Sequence, residues 1–127
     1  MPKHSFEGLL LNAIDEGLSA LGESPKRVVY FYLEKKFNIN RREIPDKIED
    51  FVEALEKIFG LGAKFLQILI IKQLYQKIEK NLEWNEEQTD LTFTEYIVAA
   101  RRSYLKKTQV QVQYSTKEGM LIQKEKR

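Results

Sequence analysis

Apolar residues recur at helical spacing in five separate stretches of this chain, and the residues between those stretches predict where each helix starts and stops. Ser5 is placed to cap a first helix with Phe6, Leu9, Leu10, Ala13, Ile14, Leu18 and Leu21 along one face, ended at Gly22. Ser24-Pro25 then reads as a restart, a capping side chain followed by a proline at the first helical position, where its missing N–H costs nothing. The segment KRVVYFYLEKKF, up to about Phe37, is helix-spaced but rich in β-branched and aromatic residues. Strand is its alternative; polar residues at both ends and the preset proline favour helix.

Asn38-Ile39-Asn40 interrupts the pattern, and Asn40 with Glu43 has the spacing of a capping box over one short turn ended by Pro45. Asp46 and Glu49 repeat that spacing and open a third helix, with Ile48, Phe51, Val52, Leu55, Ile58 and Phe59 on one face. Gly60 is expected to end it in the left-handed conformation, and Gly62 to turn the chain directly into a fourth helix over about Ala63–Asn81. Asn85–Asp90 reads as a polar linker. Thr92 with Glu95 then opens a fifth helix to about Lys107, striped by Phe93, Tyr96, Ile97, Ala100 and Tyr104.

After Thr108 the period changes from 3.6 to two. Val110, Val112 and Tyr114 alternate with glutamines, and Met120-Leu121-Ile122 has the character of a returning strand. An isolated hairpin is marginal in water. These strands therefore need the helices, a second subunit or a partner. The expected fold is all-α: a helical domain over 1–107, about five helices in a compact bundle, followed by a C-terminal extension over 108–127 that is extended or a short β-hairpin.

Composition narrows the class. With 127 residues, 43% apolar and 31% charged, the chain has the makings of one globular domain rather than a disordered segment. It has no cysteine, so disulfides, thiolate catalysis and Cys-ligated zinc are excluded. The N-terminal stretch lacks the basic-then-apolar pattern of a signal peptide, and the run Phe65–Ile71 is far too short to span a bilayer. A cytoplasmic location and no membrane partner are the expectation. Charge is uneven: residues 1–98 hold 13 Lys/Arg against 17 Asp/Glu, whereas 99–127 hold 8 against 2. An acidic body with a basic tail points to an electrostatic role for the tail.

Candidate chemistry is sparse. The corner FGLGAK lacks the GxxxxGK[ST] spacing and follows a helix, so a helix stop outweighs an anion site built on Lys64. Asp46, Glu49, Asp50, Glu53 and Glu56 line a polar helix face, with no apolar pocket implied that would split their pKa values. His4 is the only histidine, and Trp84 reads as an anchor for the linker. No catalytic, cofactor-binding or metal-ligating residue is assigned, and no enzyme activity is expected. The partner-binding candidates are Arg101, Arg102, Lys106, Lys107, Lys117, Lys124, Lys126 and Arg127, interleaved with Tyr104 and Tyr114. Cations of this kind bind phosphates and aromatics stack on bases, but a pI near 8.7 falls short of the usual nucleic-acid footprint.

Three segments carry a resemblance: LGESPKRVVYFYLEKKFNI, EIPDKIEDFVEALEKIFGLGAK and the apolar helix after them. Over about residues 6–78 the chain resembles an archaeal family described as a Nitrosopumilus output domain, the fifth type of its series. The resemblance implies a helical interaction module in signal transduction or regulation. It carries no catalytic residues and leaves the fifth helix and the tail outside its reach.

The expected function is thus a non-enzymatic protein–protein interaction module in archaeal signalling. The alternative is a nucleic-acid- or ribosome-associated factor that binds through its basic C-terminal region. The fourth helix, with Phe65, Ile68, Leu69, Ile71 and Tyr75, has more apolar surface than one neighbouring helix needs. A homodimer is therefore expected, through that helix, the C-terminal strands, or both.

Overall fold

A computed structural model of the chain describes residues 5–78 and 92–106; Trp84, the 85–90 linker, Lys107 and the 108–127 extension lie outside the described residues. The fold is all-α. Its elements are α1 (Phe6–Ser19), α2 (Glu23–Phe37), a 3-10 turn (Arg41–Asp46), α3 (Ile48–Phe59), a second 3-10 turn (Gly60–Gly62), α4 (Ala63–Lys77) and α5 (residues 93–106). No strand occurs among the described residues.

Among the first four helices, α1 and α4 form the most extensive pair. α1 starts where its cap predicts, with Gly8 N–H donating to Ser5 Oγ at 3.0 Å. It buries Phe6, Leu10, Leu11, Ala13, Ile14, Gly17 and Leu18, half of its fourteen residues. Gly17 lets α4 approach closely: a Cβ there would sit 2.5 Å from Ile70 Cγ1 and 3.3 Å from Ile70 Cα.

The apolar surplus of α4 is used inside the chain. Leu66, Ile70, Ile71, Leu74 and Tyr75 are buried, and Ile68 and Leu69 are half-buried. Phe65 alone of the five expected interface or core positions faces outward, 63% exposed. α1, α3 and α5 all contribute to the same core, so the excess over a single neighbour does not require a second subunit. α5 closes that core. Its reciprocal cap is present, with Glu95 N–H on Thr92 Oγ1 at 3.1 Å and Thr92 N–H on Glu95 Oε1 at 2.9 Å. Phe93 lies against Phe51 with ring centroids 6.3 Å apart, Tyr96 stands edge-on to Tyr75 at 6.4 Å, and Tyr104 meets Phe6 at 5.9 Å.

Several local expectations are corrected. α2 begins at Glu23, with Gly22 as its cap residue at φ 104°, so Ser24 lies within the first turn rather than capping it and Pro25 takes the third helical position rather than the first. The backbone explains the shift: Gly22 reaches a positive φ cheaply and its carbonyl accepts Lys26 N–H at 3.0 Å, two residues earlier than Ser24 would allow. The Asn40–Glu43 box is formed, but its turn continues through Pro45 to Asp46. That consumes Asp46, leaving Lys47 as the N-cap of α3 with no side-chain capping bond. At the α3–α4 corner Gly60 takes φ 59° with ψ −128°, a positive φ outside the left-handed helical region. Gly62 is already right-handed (φ −69°, ψ −16°) and makes no use of glycine's freedom. α4 is described over Ala63–Lys77 with Ile78 as its cap, and the expected continuation to Asn81 lies outside the described residues.

Candidate interaction surfaces

α2 is held on the body by two kinds of contact. Val29 and Leu33 are its buried residues, and Tyr30 and Phe37 pack partly against the core. Beside them lies a polar clamp. Asp15 Oδ1 of α1 accepts from Tyr30 Oη at 2.5 Å and from Arg41 Nε at 3.1 Å, while its Oδ2 accepts from Arg41 Nη2 at 2.6 Å. Burial acts to raise the Asp15 carboxyl, but the Arg41 and Tyr30 hydrogen bonds outweigh it and the net shift is downward. The Tyr30 hydroxyl is pushed up by its own burial and by the Asp15 carboxylate. Lys26 Nζ adds a bond to Ser19 Oγ at 3.0 Å. The clamp ties α1, α2 and the first 3-10 turn together and fixes which side of α2 faces out.

That outward side is apolar. Val28, Phe31 and Tyr32 are 51%, 57% and 41% exposed. Their spacing of three and four residues sets them on one face, opposite Val29 and Leu33. Lys35, one turn on, holds its ammonium 5.9 Å from the centre of the Phe31 ring. The residue pattern of KRVVYFYLEKKF poses only a choice between helix and strand. The missed signal was apolar residues on both sides of one helical wheel, more than a peripheral helix needs to bury.

The basic candidates separate. Arg101 is engaged within the fold: its Nη1 bonds Glu7 Oε2 at 2.7 Å and its guanidinium lies 4.7 Å from the Phe6 ring centre. That bond draws the Glu7 carboxyl below its ordinary range. Tyr104 packs against Phe6 at the core's edge. Arg102 and Lys106, one turn apart, are both exposed. Lys107, Tyr114, Lys117, Lys124, Lys126 and Arg127 lie outside the described residues.

The α3 carboxylates Glu49, Asp50, Glu53 and Glu56 are exposed, as is Asp46 in the preceding turn. At the α3–α4 corner a cleft of about 630 Å³ is lined by Val52, Glu56, Leu61, Lys64, Gln67 and Phe93, among others. Gln67 Nε2 is buried there without a hydrogen-bond partner among the described residues. A carboxylate and an ammonium line the same cleft, so it has no single-sign character to favour an anion. Leu61 and Phe65 stand exposed at this corner, at 99% and 63%. Among the described residues no group of three or more His, Asp or Glu is placed to hold a metal ion, and no helix is long and apolar enough to cross a membrane. Compared with known proteins, the chain matches no family model, no curated protein sequence and no solved structure.

Proposed function

We propose that the chain is a non-enzymatic helical interaction module that works by surface docking. The observation that carries the reading is the outer stripe of α2: Val28, Phe31 and Tyr32 exposed together on a helix whose other side is anchored. Isolated exposed apolar residues are ordinary, but a contiguous set on a rigid element is the usual mark of a contact surface. Aromatics suit such a surface because they supply large contact area with few torsions to freeze. A regulatory role in archaeal signalling rests on the resemblance of residues 6–78 to the output-domain family.

The test is capture from native lysate with the full chain as bait, with and without nuclease, beside a Phe31→Glu variant. A nuclease-resistant protein partner lost with Phe31→Glu is the expected result. Capture that the variant leaves unchanged would overturn the assignment to α2. Exposure of Arg102 and Lys106 favours a second reading, nucleic-acid binding at the end of α5. That reading requires a salt-sensitive gel shift weakened by Arg102→Ala with Lys106→Ala, since each lost phosphate contact lowers the salt slope; no binding at low salt ends it.

A further inference from the structure

We propose that the occupant of the α2 face is a second copy of this chain, its α2 antiparallel to the first across a two-fold axis near Phe31. The inference rests on the reading of that face as an interaction surface and names its partner. Charge complementarity under two-fold symmetry selects this occupant.

Around the helical wheel Arg27 and Glu34 lie on the same flank of the outer stripe, about two turns apart, and both are exposed. The other flank carries Pro25 and Lys36. When two identical helices pair antiparallel about a two-fold axis, each flank meets the same flank of its copy, running the other way. Residues whose numbers sum to about 61 then face each other. Arg27 meets the partner's Glu34, and by symmetry Glu34 meets the partner's Arg27. The same alignment brings Phe31 to the axis against the partner's Phe31, and Val28 across from the partner's Tyr32. A parallel pair would set the Arg27–Glu34 flank against the Pro25–Lys36 flank and match no opposite charges on Arg27. One alignment therefore satisfies the apolar stripe and the charges together.

By the same sum Lys35 falls at the level of the partner's Arg27, a like charge, so the pairing requires its head to turn to solvent. Its ammonium already lies near the Phe31 ring, and its aliphatic stem can extend the apolar seam while its head stays in water. The clamp of Asp15, Tyr30 and Arg41 acts on the opposite side, so the face is ordered before association and little freedom is lost on pairing. Three exposed apolar side chains per copy fall well below the ~800 Å² per partner of a standard interface, which places the dimer in the micromolar to submillimolar range.

Sedimentation of the full chain from about 10 µM to about 1 mM reads the equilibrium directly. Wild type is expected to pass from monomer to dimer across that range, and Phe31→Glu, folded by circular dichroism because the site is exposed, to remain monomeric. Arg27→Glu and Glu34→Arg alone each place like charges at both symmetric contacts, and each should weaken association by about tenfold or more. Combined in one chain they restore it. Mixed as separate chains they form a heterodimer, since one copy then carries two anions and the other two cations on the facing flanks. A wild-type monomer at every concentration, or a double swap no better than the single ones, would overturn the second copy as occupant. Loss of a lysate partner with Phe31→Glu would still stand in that case, so failure of the dimer and failure of the interaction surface are separable.

Discussion

Replacing Gly17 by alanine tests the closest approach in the core. The added Cβ would lie 2.5 Å from Ile70 Cγ1 and 3.3 Å from both Ile70 Cα and Ile70 N. Carbon atoms rest about 3.5–4.0 Å apart, so the first contact is too short by roughly 1 Å. Ile70 cannot easily yield, because its β-branched side chain is stiff at χ1 and two of the three near atoms are backbone. It is also fully buried, within an interior that has no slack to absorb a shift. Overpacking of this severity costs about 3 kcal/mol, at the upper end of the usual range. Alanine's better helix propensity returns about 1 kcal/mol. The net expectation is a loss of about 2 kcal/mol, read as a lower urea midpoint at unchanged m-value and a melting temperature down by roughly 6–10 °C. In an Ile70→Ala background the obstructing Cγ1 is gone, and the alanine penalty should shrink by at least about 1 kcal/mol. A Gly17→Ala protein that is more stable than wild type, or penalties that simply add in the double variant, would refute the close α1–α4 crossing.

The corner glycines give a contrast: Gly60→Ala should cost about 1–3 kcal/mol through its positive φ alone, since nothing lies within 4 Å of the new Cβ. Gly62→Ala, in right-handed backbone with Phe59 Cβ at an ordinary 3.8 Å, should be neutral or slightly stabilising in the same urea titration. Acid should weaken the fold through Asp15 and Glu7. Both carboxyls are held below their ordinary values of 3.8 and 4.5, so the unfolded chain takes up protons first as pH falls. Their contribution is complete above about pH 5 and disappears as pH drops through the folded values. Asp15→Asn and Glu7→Gln should accordingly melt earlier than wild type at pH 7 and approach it at pH 2–3; an unchanged gap would remove these pairs from the account. Arg101→Met should cost about 1 kcal/mol by losing the Glu7 bond, whereas Arg102→Ala should leave the melting temperature unaltered.

Some elements were legible because their cause is local. The Ser5 cap and the Asn40–Glu43 and Thr92–Glu95 boxes each depend on residues within three positions of one another, and all three form. Ser24 and Asp46 failed because two starts competed and a neighbouring segment won: Gly22 opened α2 first, and the 3-10 turn through Pro45 absorbed Asp46. Arg101 was grouped with the other tail cations because its partner Glu7 lies 94 residues away, and no spacing rule reaches that far. The α2 stripe was visible as letters but not as a surface, since only packing tells which of two apolar faces is covered.

Periodicity and capping chemistry alone thus determined an all-α chain, its helix order, the apolar stripe of α5 and the stop at Gly60. Each follows from hydrogen bonding and side-chain spacing within a turn or two. The tertiary structure decided how that apolar surface is shared out. α4, with residues that looked surplus, is enclosed because Gly17 admits it against α1 and α5 joins the same core, with Tyr96 edge-on to Tyr75. α2, the less apolar helix, keeps Val28, Phe31 and Tyr32 in water because its clamp to Asp15 and Arg41 turns the opposite face inward. Burial depends on where the neighbours lie, and here they range from 15 residues apart, for Tyr30 and Asp15, to 53, for Gly17 and Ile70.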